Sequence, residues 1–136
     1  MFEAQLRDVP FFSGLSKREL ATVAQQIDEV EVDAGAVLAT EGDFGHEFFV
    51  IMDGTAEVLK GDAPIAELGP GEFFGEMALL DEDRRTATVK AISPMKLLVM
   101  TRASFRSIDR TMPQIHAAVA EAISQRRAAP QPAATG

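Results

Sequence analysis

Hydrophobic residues recur every three to four positions at both ends of this chain and every second position, or in short unbroken runs, through its middle. Phe2, Leu6 and Val9 predict a short helix over about residues 2–9, ended by Pro10. Phe11, Phe12 and Leu15 form an apolar knot around Ser13-Gly14. Ser16-Lys17-Arg18-Glu19 reads as a capping box that starts a helix running to about Gln25, with Leu20, Val23, Ala24 and Ile27 on one face.

From Glu29 the period becomes two. Val30 and Val32 alternate with acids, which predicts a strand with one buried face, turned by Asp33-Ala34-Gly35. Val37-Leu38-Ala39 is the next strand. Glu47 to Met52 is a continuous apolar strand, expected to be covered on both faces. Asp53-Gly54 predicts a hairpin that returns the chain antiparallel through Thr55–Lys60, and Gly61-Asp62 turns it again into Ile65–Leu68. Ala87–Ile92 and Met95–Thr101 are two further strands separated by Ser93-Pro94. The tally is about eight short strands, the pattern of a small antiparallel sandwich or jelly roll. Thr101 then caps a helix carrying Phe105, Ile108 and Met112. Pro113 opens another, which places Ile115, Ala118, Val119, Ala122 and Ile123 on one face, with Arg126 and Arg127 near its C-terminal end. The small, Pro-rich tail reads as disordered.

Composition narrows the picture. A length of 136 residues predicts one domain, and 46% hydrophobic residues with nine Phe supply a core. The absence of cysteine removes any disulfide framework or thiolate chemistry and fits a cytoplasmic setting. A net charge of −8 argues against broad nucleic-acid or anionic-membrane binding. It also speaks against reading the first helices as a helix-turn-helix. No apolar run approaches a membrane span, and the acid-bearing N-terminus is unlike a signal peptide.

One stretch departs from the β pattern. It begins at the turn Gly69-Pro70-Gly71 and continues through Phe73-Phe74-Gly75-Glu76, the short helical run Met77–Leu80, the acids Asp81-Glu82-Asp83 and the pair Arg84-Arg85 to the strand that opens at Thr86. A glycine lets a ligand approach the backbone, and a short helix beginning there directs N–H groups at the same point. An arginine adds a bidentate fork for phosphate. Glu76 would repel a bare phosphate but accepts hydrogen bonds from sugar hydroxyls. Glycine, carboxylate and arginine together indicate a ribose phosphate. Taken singly these residues read as a solvated turn; the long ordered string argues against that.

Other polar residues carry less. His46 and His116 stand far apart and do not supply a converging metal set, so they read as ordinary loop or surface histidines. The run Asp81–Asp83 lacks calcium-loop spacing and reads as a solvated loop. No nucleophile and base form a pair, so neither an enzyme nor a metal site is expected.

The string Phe74-Gly75-Glu76-Met77-Ala78-Leu79-Leu80, followed by Arg85-Thr86-Ala87-Thr88-Val89, resembles the phosphate-binding cassette of the cyclic-nucleotide-binding domain family, with Arg85 nine positions after Glu76. Kinase regulatory subunits, cyclic-nucleotide-gated channels and catabolite activator proteins share that family. The resemblance spans nearly the whole chain, but only the cassette is highly specific. It implies an eight-stranded antiparallel β-roll with N-terminal helices, a short cassette helix and C-terminal lid helices, over residues 1–127, with 128–136 as tail. It further implies that Arg85 binds the cyclic phosphate of cAMP or cGMP together with backbone N–H groups near Ala78, Thr86 and Ala87. Gly75 and Glu76 would take the ribose, Phe74 and Leu68 would line an apolar wall, and Ile115, Val119 and Ile123 would form the lid over the base. Arg84 stands where a proline is common, so two arginines compete; Arg85 is assigned because it directly precedes Thr86-Ala87-Thr88-Val89.

Thr86 is compatible with cGMP, though some cAMP-preferring members carry threonine there, and it also reads as an ordinary strand-start residue. The C-terminal stripe could equally pack on the β-roll or on a second copy as a homodimer. The function expected is a sensory module that couples cyclic-nucleotide binding to movement of the C-terminal helices and addresses a protein effector. The alternative is a ligand-free structural or protein-interaction module of the same fold. The residues after Thr101 are already used in two helices, which leaves no winged helix for DNA; the chain is either a stand-alone sensor or a fragment of something longer.

Overall fold

The computed structural model describes residues 3–80 and 84–128. Phe2, the acids 81–83 and the predicted tail beyond residue 128 lie outside the described residues. Helix α1 (Glu3–Arg7) is followed by a 3-10 turn at Pro10–Phe12 and by α2 (Lys17–Ala24). The capping box at the start of α2 forms as read: Ser16 Oγ accepts the Glu19 N–H, and Glu19 Oε1 accepts the Ser16 N–H. The strands are β1 (Asp28–Val32), β2 (Val37–Ala39), β3 (Glu47–Asp53), β4 (Ala56–Lys60), β5 (Ala63–Leu68), β6 (Phe73–Phe74), β7 (Thr88–Ala91) and β8 (Met95–Thr101). Helices α3 (Arg102–Thr111) and α4 (Pro113–Ala128) follow. Thr101 caps α3 through its side chain, which accepts the Ser104 N–H.

Two four-stranded antiparallel sheets, ordered β1-β8-β3-β6 and β2-β7-β4-β5, make the roll. Strand β3 is buried along both faces, as its unbroken apolar run predicts. Phe49 and Ile51 turn into the space between the sheets, where they join Leu97 and Val99 of β8. Phe48 and Val50 turn the other way, with Leu98 and Met100, onto the layer built by all four helices. The period-two alternation of β3 and β8 therefore feeds two apolar clusters from one pair of strands.

Three expectations are corrected. Asp53-Gly54 does not close a hairpin between β3 and β4. Strand β3 already pairs with β8 on one edge and β6 on the other, so β4 crosses to the second sheet and pairs with β5 and β7. Gly54 makes the crossing at φ 90°, and a Cβ there would lie 2.3 Å from the Pro94 carbonyl. Val30 is on the core-facing side of β1 but is not buried there, whereas Val32 packs partly against the cluster between the sheets. Val30 stands opposite Leu97 and shares its side of the sheet, but β1 is the edge strand and Val30 stays 37% exposed. Strand β5 starts at Ala63 and takes in Pro64, which its place at the edge of the second sheet tolerates. The strand missing from the pattern reading is β6, whose two phenylalanines pair with Val50 and Phe49.

Candidate functional site

The cassette leaves the roll at β6. Phe74 stacks on Phe49 with ring centroids 4.7 Å apart, which anchors the entry to the turn. Gly75 then adopts φ 82°, in the left-handed region. A Cβ at Gly75 would fall 2.5 Å from Arg85 Nη1 and 2.7 Å from the Glu47 carbonyl, so both backbone angle and close approach require glycine. The 3-10 turn Glu76–Leu79 follows, with the Ala78 N–H donating to the Gly75 carbonyl at 3.0 Å. Glu76 is 1% exposed, within the electrostatic reach of Arg85.

The two arginines have opposite fates. Arg84 is exposed, lies over the ring of Phe44 at 4.4 Å and donates through Nη1 to the Gly42 carbonyl. Arg85 turns inward and is 6% exposed. Its backbone is pinned to the β2–β3 loop: its N–H donates to the Asp43 carbonyl at 2.7 Å, and its carbonyl accepts the Gly42 N–H at 2.9 Å. Its Nη2 donates to the Glu47 carbonyl at 2.7 Å. A Cβ on Gly45 would come within 2.5 Å of its Nε. The guanidinium thus lies in a slot between two glycine backbones, Gly45 and Gly75. Burial lowers its pKa from the ordinary arginine value, and the carboxylates of Glu47 and Glu76 oppose that. A pocket of about 170 Å³, with Thr40, Asp43, His46, Glu47 and Arg85 among its walls, opens beside the slot.

Of the predicted site residues, the structure gathers Gly75, Glu76 and Arg85, with Ala78 on the same turn. Ala87 is buried, while Thr86 is exposed and its carbonyl accepts Lys60 Nζ at 2.6 Å. Phe74 and Leu68 belong to the cluster between the sheets. Ile115, Val119 and Ile123 are fully buried in the helical cluster with Leu6, Val9 and Phe12. Leu79 of the cassette turn packs in that same cluster. Among the described residues no group of three or more His, Asp or Glu side chains is placed to hold a metal ion. His46 is an exposed loop residue, and His116 stacks on Phe105 at 4.4 Å.

Two participants were not read from the sequence: Gly45 and Arg102. Arg102, at the first position of α3, is 6% exposed. Its Nε donates to the Ala78 carbonyl at 3.0 Å, and its Nη2 lies 3.1 Å from the Gly45 carbonyl and 2.8 Å from His46 Nδ1. An arginine beside a helix cap reads as a surface residue. The one available signal for Gly45 was its position immediately before an apolar strand.

The chain is similar to known proteins over most of its length. The family profile described as "Cyclic nucleotide-binding domain" matches residues 29–111. A cAMP-dependent protein kinase regulatory subunit from Schizosaccharomyces pombe is 36% identical over 109 residues, 79% of this chain and 26% of that protein. A cyclic nucleotide-gated potassium channel from Rhizobium etli is 35% identical over 122 residues, 90% of this chain and 34% of that one. The chain thus spans about a quarter to a third of the length of these relatives. Among solved structures, the N-terminal domain of a transcriptional regulator from Streptomyces coelicolor superposes with a TM-score of 0.82 at 29% identity, covering 91% of this chain and 90% of that one. These matches are to binding modules, not to catalytic domains. No described helix is long and apolar enough to cross a membrane.

Proposed function

The chain belongs to the cyclic nucleotide-binding domain family, and we propose on that footing that its cassette binds cAMP or cGMP and reports the event through the C-terminal helices. The observation that carries this reading is the buried Arg85 guanidinium, held in its slot between Gly45 and Gly75 beside the carboxylate of Glu76. A guanidinium held in place presents a planar fork to the cyclic phosphate at little further ordering cost. Backbone N–H groups near Ala78, Thr86 and Ala87 complete the phosphate contacts. Because the Ala78 N–H donates to Gly75 within the 3-10 turn, its share is taken by sharing that bond or by a small shift of the turn. Glu76 accepts from the ribose 2′-hydroxyl, and Gly75 lets the sugar approach. Phe74 and Leu68 form the apolar wall.

The lid role assigned to Ile115, Val119 and Ile123 requires an exchange, since all three are consumed in the helical cluster. To cover a base, α4 must leave that packing, and the nucleotide then stabilises the second arrangement by its differential affinity. A protein effector reads the change in α3 and α4. A homodimer through these helices would use their outer faces, because the apolar stripe is buried within the chain.

Calorimetric titration of ligand-stripped protein with cAMP and with cGMP tests the reading and gives base preference in the same experiment. Arg85→Ala should weaken binding by about 3–5 kcal/mol, or roughly two to three-and-a-half decades. Lysine should restore only part, because it lacks the fork. Unchanged affinity in Arg85→Ala would overturn the assignment. Binding of neither nucleotide at millimolar concentration would favour the ligand-free structural module.

A further inference from the structure

We propose that Arg102 is a positioning residue that fixes both walls of the nucleotide site and ties them to the start of α3. The proposal rests on the cyclic-nucleotide reading above. The tripeptide Gly45-His46-Glu47 is gripped from two sides. Arg85 takes the Glu47 carbonyl and lies against Gly45. Arg102 takes the Gly45 carbonyl through Nη2, His46 Nδ1 through the same nitrogen, and the His46 carbonyl through its own backbone N–H at 2.9 Å. The Gly45 backbone therefore separates the two guanidinium groups and contacts both.

The second reach of Arg102 goes to the opposite wall. Its Nε donates to the carbonyl of Ala78, on the 3-10 turn that carries Glu76. One planar group thus holds the glycine that backs the phosphate arginine and the turn that bears the ribose carboxylate. Geometry makes arginine necessary. The Nε and Nη2 donors diverge from a rigid plane and meet two carbonyls on separate segments, whereas an ammonium head offers a single point of charge. The anchor is also short, because Arg102 is the first residue of α3, immediately after the cap residue Thr101. A shift of the cassette turn on binding nucleotide must either carry the N-terminus of α3 with it or break the Arg102–Ala78 bond. The buried guanidinium resists that break, since an unpaired buried donor is costly. Coupling of this kind is reciprocal: what the nucleotide does to α3, the posture of α3 does to affinity.

The test uses the absence of native cysteine. Cysteines placed at the exposed positions Asp62, in the β4–β5 turn, and Arg110, on α3, carry spin labels, and their separation is measured by electron–electron resonance with and without cAMP and cGMP. In the otherwise unaltered chain, nucleotide should shift the distance. In Arg102→Lys, which keeps charge and stem, affinity measured by calorimetry should fall about fivefold or more, and the shift should vanish even at saturation. A Lys variant with full affinity and the full shift overturns the proposal. Binding without any distance shift in the parent also overturns it, and leaves the binding assignment standing. Binding of neither nucleotide by the parent overturns the site reading and this one together. Should Arg102→Lys unfold, hydrogen exchange on the parent decides: nucleotide should alter protection at residues 76–80 and 102–106 together, and a change confined to the first segment rejects the coupling.

Discussion

The two apolar clusters share strands β3 and β8 but are held in different ways. The cluster between the sheets is lined by residues such as Ala56, Val58, Ala87, Val89 and Ala91, and nearly every one stands on a strand whose backbone is fixed by ladder hydrogen bonds. The helical cluster is built from larger side chains, among them Leu6, Phe12, Leu20, Phe105 and Ile115, on helices from both ends of the chain. Those helices hold to the roll largely through side-chain packing and a few polar ties such as Arg102. A ladder resists sliding because a one-residue slip turns every side chain to the wrong face, whereas helices packed by their side chains can exchange one set of contacts for another. The cassette belongs to both: Phe74 and Ala87 face the strand-built cluster, and Leu79 faces the helical one. On the proposed reading, a ligand-driven change at the cassette would have a ladder-held reference on one side and a layer held by side-chain packing on the other.

The sharpest break of this comparison removes one large side chain from each cluster. Phe105→Ala, at a fully buried site of the helical layer, should lower unfolding free energy by about 3–5 kcal/mol, and Leu97→Ala, between the sheets, by about 2–5 kcal/mol. Both are read from urea midpoints. Nucleotide affinity separates them: Phe105→Ala should change it through the released α3, while Leu97→Ala should leave it within a few-fold in the folded fraction. Equal effects on affinity would show that the two clusters act as one unit.

Next in size are the glycines of the arginine slot. Gly75→Ala places a side chain at positive φ, at about 1–2 kcal/mol, and drives its Cβ against Arg85 Nη1. Gly45→Ala carries no positive-φ strain but pushes on Nε of the same group. Overpacking of this kind costs about 1–3 kcal/mol. Both should weaken cAMP binding, and by calorimetry the loss in Gly45→Ala should exceed its loss of stability. A Gly45→Ala protein with intact affinity would mean that the slot does not hold the binding arginine.

Smaller again are the caps. Ser16→Ala and Thr101→Ala each remove a side-chain acceptor from a helix N-terminus and should cost about 1 kcal/mol, measured by thermal or urea unfolding. They differ in consequence, since Thr101 immediately precedes Arg102. Thr101→Ala should also disturb nucleotide affinity, and Ser16→Ala should not.

What the sequence made legible follows the range of the interactions. The α2 capping box and the β4–β5 turn at Gly61-Asp62 are decided within a few residues, and both form as read. The cassette was legible for the same reason: Gly75, Glu76 and Arg85 lie within one short ordered string. Sheet membership was not. An Asp-Gly pair signals a turn, but whether the next strand pairs with the last depends on which edges are already taken, and β3 had none to offer. The role of Arg102 was hidden similarly, because its side chain meets backbone carbonyls 24 and 57 positions away, with the His46 ring beside them. A carbonyl has no residue identity, so no pattern of side chains announces it.

The smallest expected effect tests the edge. Val30 alternates as a core residue does, yet its strand is the outermost of its sheet and its side chain is 37% exposed. A threonine has nearly the same shape and β propensity, and its hydroxyl would stay hydrated at that margin. Val30→Thr should therefore change stability by no more than about 0.5 kcal/mol in urea unfolding, the range of an ordinary surface substitution. Its neighbour across the ladder offers the contrast. Leu97 points the same way from the next strand inward and is fully buried, so a polar residue there would lose its water without gaining a partner. A loss above about 1 kcal/mol in Val30→Thr would mean that the facing sheet covers β1 after all, and that the strand-built cluster extends to the edge.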